Sequence, residues 1–406
     1  MSIDNAYIVK IRRELHENPE LGFDLPRTTA IVKRELDAIG IQYTEKYGKS
    51  SIVAELNPEK DFTIAIRADM DALAINEQTG LEYSSKIEGH MHACGHDAHT
   101  AILVATVKEL YSMRDKIECR VRFIFQPSEE CPVSGAKMMI DNGVMDGVDV
   151  VVGLHVGACK SGEIGVLDGA SMAASRPFKL EFFGRSTHAA APHEGKDALA
   201  AAVRAYTSIK LMTSTELTPM ERFICSVGKL NAGTAQNIIP DYAEMVGTIR
   251  TFNPEIDKYI IERIEGIARS IEQETGIVCK LTTTLKSGVV YNDPKVAQLV
   301  RRAARQVVGE DKTVEVAARL GAEDFAFYGE KAPATFFRLG VYNEEKGLVA
   351  SAHNSDFNVD EDILHLGAET FVRFVLDNMS GEAFDETEKQ YKRDKTVNFN
   401  KKGELL

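Results

Sequence analysis

Phe62 to Leu73 reads F-T-I-A-I-R-A-D-M-D-A-L. Its first half is nearly continuous in apolar residues, the pattern of a strand buried on both faces. The run ends at Arg67, and two carboxylates, Asp69 and Asp71, follow at once. Open α/β sheets place their sites just beyond the carboxyl ends of their strands. This stretch is therefore expected to be a central strand that ends at a site. The plainer alternative is that the two aspartates only cap the following loop.

The flanking sequence supports an α/β sheet. Upstream, Ile8, Ile11 and Leu15 have helical spacing over Asp4 to Glu17, and Asn18-Pro19 stops that helix. Arg27 to Ile39 is a second amphipathic helix closed by Gly40, and short β-type runs follow at Ile41 to Tyr43 and Ser51 to Leu56. Downstream, a helix over Thr100 to Leu110 precedes a strand over Arg120 to Phe125, which runs straight into Q-P-S-E-E with Glu129 and Glu130. After a helix over Ser134 to Asn142, a strand over Val148 to Leu154 ends at His155. Three successive strands thus deliver polar residues at their carboxyl ends. Alternation of strand and helix over Ile52 to Val156 predicts helices on both faces of the sheet.

The pattern changes near Pro177. Strand-like runs at Phe178 to Phe183, Arg222 to Leu230, Tyr242 to Thr251 and Val278 to Thr284 alternate with helical runs at Lys196 to Met212 and from Asn253-Pro254 to Thr275. The order βαββαβ is that of a ferredoxin-like unit. A helix from Asp293-Pro294 to Val308, the stretch Gly321 to Phe327, a strand over Ala334 to Leu339 and a helix over Leu364 to Asn378 return to the first texture. The expected organisation is a discontinuous domain, 1–176 and 288–380, with an α+β lid inserted at 177–287 and hinges near Ala174 and Val289. The tail, 381–406, has six acidic and six basic residues and few large aliphatics, and is expected to be loosely held.

Composition narrows the function. A chain of 406 residues exceeds one ordinary domain, and a net charge of −13 argues against a nucleic-acid partner. No apolar run is long enough to span a bilayer, and Met1 to Arg13 lacks a signal-peptide core, so a cytoplasmic protein without a membrane partner is expected. The cysteines, at 94, 119, 131, 159, 225 and 279, form no paired framework and are expected to be thiols. Cys119, Cys225 and Cys279 lie in strand-like runs as core fillers.

Cys94 differs. His90 to Thr100 reads H-M-H-A-C-G-H-D-A-H-T and holds four of the ten histidines. Cys94 and His96 flank a single glycine, so both side chains can face one cavity, and thiolate and imidazole are good ligands for a borderline-soft divalent ion. A coordination sphere needs further donors, and Glu130, His155 and His353 are placed at strand ends or in short polar loops. Alone, His155 would read as a core histidine and the Glu129–Glu130 pair as surface acids. Together with Cys94 and His96 they look like a two-metal site, in which paired cations clamp the attacking and leaving oxygens.

The set R-A-D-M-D-A-L, H-A-C-G-H-D-A-H-T, Q-P-S-E-E, G-L-H-V, N-I-I-P with G-T-I-R-T, and A-H-N-S-D-F resembles the metal-dependent amidohydrolase and exopeptidase family, which includes aminoacylases, hippurate hydrolases, auxin–amino-acid conjugate hydrolases and p-aminobenzoyl-glutamate hydrolase. The resemblance runs from about His16 to Asn378. It implies a mixed-sheet α/β catalytic domain of zinc-exopeptidase type with a ferredoxin-like lid that also dimerises. It implies two divalent ions per subunit, Mn2+ or Zn2+, with Co2+ and Ni2+ as further options, held by Cys94, His96, Glu130, His155 and His353. Glu129 matches the general base and Asp71 a carboxylate that orients the site. Asp69 falls where other branches have a ligating histidine, and its role stays open.

In the lid, G-R-S-T-H-A-A-A-P-H-E-G-K-D-A-L matches the segment whose first histidine, His188, polarises the scissile carbonyl. The resemblance implies that His188 serves the neighbouring subunit of a homodimer. Asn237 and Arg250 match positions that grip the substrate carboxylate, whereas His193 matches no role. Cys131 stands where the family has glycine, which alters the floor beside the base, and the tail is longer than the fold requires. The implied activity is hydrolysis of the amide bond of small N-acyl or N-aroyl amino acids. Alternatives are a dipeptidase or aminopeptidase, for which no dedicated anchor for a free amine is visible, and a non-catalytic metal-binding scaffold, which would not need Glu129.

Overall fold

The computed structural model describes residues 3–157 and 159–384. Thr63–Asp69 is buried along its whole length, as its apolar run requires. It lies at the centre of a mixed sheet of eight strands, between Arg120–Gln126 and Val150–Val156, and pairs parallel to both. Ala334–Leu339 adds a fourth parallel strand beside Val150–Val156. Ile52–Leu56 and Ile164–Gly165 pair antiparallel on the two flanks, and Tyr43–Thr44 and Thr313–Val314 close the edges. The four parallel strands all point their carboxyl ends the same way, so the residues that follow them gather at one rim.

Successive side chains of a strand face opposite ways, and the central strands use both faces. Ile64, Ile66, Val152 and Leu154 pack with residues of the helices Asn5–His16, His96–Ser112, Pro294–Val308 and Leu364–Asn378. Ala65, Val151 and Phe336 pack instead with the short helices Gly135–Asp141 and Ala326–Gly329. Helices therefore cover both faces, as expected.

The second sheet has the order Phe223–Ala232, Tyr242–Thr251, Ala174–Phe183, Val278–Thr283, all antiparallel. Two helices, Ala198–Thr215 and Pro254–Thr275, bury Ala205, Ile209, Ile260 and Ile264 against Leu180, Phe182, Met245 and Ile249. This is the ferredoxin-like arrangement.

Some boundaries differ from the sequence expectation. The helix expected to begin at Thr100 begins at His96, because its first turn, H-D-A-H, is polar and hides the helical period. His155 lies within its strand rather than after it. Ala174–Phe183 begins three residues before the expected boundary at 177, and the two joints run side by side: Ser175 N–H donates to Ser287 O (2.9 Å) and Lys286 N–H to Ser175 O (2.8 Å). Ile164–Gly165, Gly169–Met172, Val290–Asn292 and Thr313–Val314 are too short to show a period, and Tyr43–Thr44 replaces the run at Ile41 to Tyr43.

Gly381 and Phe384 of the expected loose tail are buried. Phe384 is buried and stacks on Phe62 with ring centroids 5.3 Å apart. The remainder of the tail, 385–406, lies outside the described residues. Among the described residues no helix is long and apolar enough to cross a membrane.

Candidate metal centre

Gly95 sets up the site. It adopts φ +86°, and a Cβ there would come within 2.3 Å of a Val156 methyl. Only glycine meets both demands at low cost. The chain can therefore turn sharply between Cys94 and His96 and start a helix at His96. Cys94 Sγ lies 3.3 Å from His155 Nε2. The other nitrogen of His155, Nδ1, donates to Val156 O at 2.7 Å, which leaves Nε2 with a free lone pair. Burial, with His99 and Arg338 nearby, holds His155 well below the ordinary histidine range, and so neutral.

Donor atoms of Cys94, His96 and His155 lie within 4.8 Å of one another, and so do those of Cys94, Glu130 and His353. Cys94 belongs to both groups. His96, Glu129 and Glu130 form a third. The ring of His96 is buried, and neither nitrogen has a hydrogen-bond partner. Leaving both unmet is costly, and an ion at the cluster would engage one of them. The soft thiolate and imidazoles suit a divalent transition ion. Burial pushes the Cys94 thiol up, and coordination would reverse that shift.

His353 reaches the cluster by a strained route. Its φ is +68°, unusual for a residue with a side chain, and its N–H donates to Ala93 O at 2.7 Å. Its Nε2 stands 3.1 Å from Glu130 Oε1. Burial opposes ionisation of Glu130, but the close imidazole of His353 and the field of His96 hold its carboxyl below the usual range.

Asp71 acts on the backbone. Its two oxygens accept the N–H groups of Glu129 (2.9 Å) and Glu130 (3.1 Å), fixing the turn that carries both glutamates. Glu129 is buried, and burial together with Glu323 and Glu130 pushes its carboxyl well above the ordinary range.

The open question of Asp69 has a geometric answer. Its Oδ1 accepts from His99 Nδ1 at 2.6 Å and its Oδ2 from Arg67 Nη1 at 2.7 Å. His99 Nε2 in turn accepts the Val156 N–H at 2.9 Å. Both nitrogens of His99 are thus engaged, so His99 is a brace rather than a free donor. Arg67 extends the network to Glu323 (3.0 Å) and Asp324 (2.9 Å), and Asp324 also accepts from Ser134 Oγ at 2.6 Å. Arg67, His99, Glu323 and Asp324 were not singled out from sequence. Only His99 left a signal there, three residues after His96 on the same helical face.

The expected lid residues lie elsewhere. His188 is exposed, in a two-residue ribbon with Ile238, and Ala189 N–H donates to Asn237 O at 3.0 Å. Its Nδ1 accepts from Ala190 N–H at 3.0 Å, so Nε2 carries the proton of the neutral ring. Arg250 is half-buried beside Ile249 O (3.2 Å), and among the described residues it has no carboxylate partner. No hydrogen bond or ion pair among the described residues joins His188, Asn237 or Arg250 to the Cys94 cluster. Lys286, which sequence reading missed, does reach across: from the second joint its Nζ donates to Glu130 O at 3.2 Å. His193 is exposed and 4.0 Å from its neighbour Glu194. Cys131 is half-buried and closes against Gly22, where a Cβ would stand 2.8 Å from its sulfur.

Known proteins resemble this chain over most of its length. Residues 65–377 match the family described as peptidase family M20/M25/M40. The chain is 39% identical over 367 residues to thermostable carboxypeptidase 1 of Saccharolobus solfataricus, covering 89% of this chain and 93% of that one. It is 35% identical over 356 residues to N-acetyl-L-cysteine deacetylase of Bacillus subtilis, covering 87% and 84%. The crystal structure of the Bacillus subtilis YXEP protein, described as a dinuclear metal-binding peptidase of the M20 family, superposes with a TM-score of 0.78 at 32% identity, covering 93% of this chain and 98% of that one. The mixed α/β fold, the clustered donors and these likenesses together make the chain a metal-dependent hydrolase of amide or peptide bonds, and it belongs to peptidase family M20/M25/M40.

Proposed function

We propose that the protein hydrolyses the amide bond of small N-acyl or N-aroyl amino acids, with Glu129 as general base. The observation that carries this reading is Glu129 itself. It is buried, its backbone is clamped by Asp71, and its carboxyl lies against His96 and Glu130 without being needed by the Cys94 groups. Two divalent ions held by Cys94, His96, Glu130, His155 and His353 would supply Lewis acidity and a water made acidic near neutral pH. Mn2+ and Zn2+ both suit the donors, with Co2+ or Ni2+ as substitutes.

Glu129 accepts a proton from the attacking water and returns it to the leaving nitrogen. A carboxyl can make both transfers, accepting the proton as carboxylate and returning it as the acid. Arg250, half-buried and without an acidic partner among the described residues, and Asn237 bind the carboxylate of the amino acid, where the guanidinium fork fits. His188 presents Nε2–H and donates it to the developing oxyanion, for which it must come within about 3 Å. The partner subunit of a homodimer joined through the smaller domains delivers it. The relatives named carboxypeptidase and N-acetyl-L-cysteine deacetylase fit this substrate class, since the last bond of a peptide and the amide of an N-acetyl amino acid both lie beside a free carboxylate. A dipeptidase or aminopeptidase would need an anchor for a free amine. A scaffold would leave the buried base without a purpose.

The test is a panel of hippurate, N-acetyl amino acids and free dipeptides against protein loaded separately with Zn2+, Mn2+ and Co2+, with and without chelator. Chelator-sensitive turnover of the acylated substrates is expected. Turnover of free dipeptides alone would favour the peptidase alternative, and no turnover with any metal would favour the scaffold.

A further inference from the structure

Four arginines of the larger domain, Arg12, Arg67, Arg122 and Arg338, are at most 6% exposed. Three have the partners that burial of a charge demands. Arg12 pairs with Asp97 (2.7 Å) and Glu361 (3.1 Å), and Arg67 with Asp69, Glu323 and Asp324. Arg122 pairs with Glu55 (2.6 Å) and donates to the carbonyls of Val144 and Asp146. Arg338 has no carboxylate or carbonyl partner among the described residues. Its Nη2 points at the sulfur of Met172, 2.7 Å away, and its guanidinium lies 5.2 Å from the ring centre of Phe336. Neither contact replaces an anion. Glu323, the carboxyl whose field reaches it, is already bound to Arg67 at 3.0 Å, and Arg319 adds like charge. Burial lowers Arg338 only to about 10, so it remains a cation at neutral pH.

Its position is as telling as its isolation. Arg338 is the register partner of His155 across the parallel pair, so the two side chains share a face at the carboxyl rim of the sheet. The ring of Phe336 packs edge-on to His155 as well as beneath Arg338. On its other side, Met172 stands three residues before Ser175, the register partner of Arg250. Arg338 therefore lies beside the metal-ligand cluster, toward the foot of the strand that carries Arg250.

We propose that Arg338 is an anion-binding residue of this site and that its ligand is a carboxylate of the substrate. The inference rests on the hydrolase reading. Two sources share the chemistry: the carboxylate of the amino acid to be released, or one on a dicarboxylic acyl group. Either would place a negative group against a largely buried guanidinium, where a forked hydrogen bond is strong and selective for a planar anion.

The test measures binding rather than turnover. Mn2+-loaded Glu129→Gln protein, in which a bound ligand persists, is titrated calorimetrically with N-acetyl-L-methionine, its carboxamide, and N-succinyl-L-methioninamide, whose sole carboxylate is on the acyl side. The same ligands are then titrated onto that protein carrying Arg338→Met or Arg338→Lys. A carboxylate ligand should bind about 10- to 100-fold more weakly to Arg338→Met, with part of the loss recovered by lysine and no change for N-acetyl-L-methioninamide. Which acid loses affinity identifies the source. An unchanged acid-to-amide ratio in Arg338→Met, or a parent that does not prefer either acid to the amide, overturns the proposal. A second measurement does not depend on ligand. Replacing an uncompensated buried cation by methionine should leave the melting temperature of the metal-free protein unchanged or raise it. A fall in melting temperature for both variants would make Arg338 a structural group and overturn the proposal. Failure of the hydrolase reading is seen separately, as wild-type protein that turns over no acylated substrate with any metal.

Discussion

Arg67 on the larger sheet and Arg263 over the smaller one are both ion-paired arginines in opposite surroundings. Arg67 is 1% exposed and bound to three carboxylates in a network that braces the strand ends behind the Cys94 cluster. The Arg263 side chain is 39% exposed and meets Glu216 in water, at 2.6 Å. The same division runs through the two sheets. Thr63–Asp69 is buried at every residue and carries charge inside, whereas Tyr242–Thr251 alternates between core and surface over an apolar interior. Fixed charges act strongly where water is excluded, so the buried charge network gathers on the sheet that can hold it dry. Of the residues expected to meet the substrate, the smaller sheet carries Arg250, and His188 lies in the separate two-residue ribbon beside it.

The largest expected effect tests whether the larger sheet holds the base. Glu129→Gln should lower kcat by about 10²–10⁴-fold while metal content stays at the wild-type level. Loss of metal in proportion to activity would exchange the roles of Glu129 and Glu130. Metal analysis and kinetics on one preparation decide this.

Next in size is the contrast between the two arginines. Arg67→Met leaves Asp69, Glu323 and Asp324 without their shared cation and should cost about 3–5 kcal/mol of stability. Arg263→Met should not move the transition beyond error, because an exposed pair is screened. Urea unfolding of the metal-free proteins measures both. Equal shifts would erase the distinction drawn between the sheets.

The smallest effect asks whether the smaller domain serves a neighbour. Glu129→Ala and His188→Ala proteins, each nearly inactive, are unfolded together and refolded. Donation of His188 across a symmetric dimer should restore about a quarter of all sites. A mixture that forms mixed dimers yet stays inactive would rule out donation in trans, and a fully active His188→Ala protein would remove the histidine from the chemistry altogether.

Sequence by itself determined what depends on neighbours along the chain. Apolar runs and helical spacing placed the main strands and helices, Ala334–Leu339 and Leu364–Asn378 to the residue. The donors at strand ends were legible because a parallel sheet gathers such ends at one rim, and Cys94 with His96 because a single glycine separates them. The first turn of the His96 helix and the two-residue strands were not legible, since neither shows a hydrophobic period. Tertiary structure alone decided who pairs with whom. Asp69 meets His99 thirty residues on and Arg67 meets Asp324 across 257 residues, which turned an unassigned aspartate into a brace. It also decided which charge lacks a bonded partner: Arg338 reads in the sequence as one more residue of a strand, and only packing shows a buried cation with no carboxylate bonded to it among the described residues. Local pattern reports which face of an element is apolar. Whether a charge is compensated depends on side chains brought to it from distant parts of the chain, and no local period encodes that.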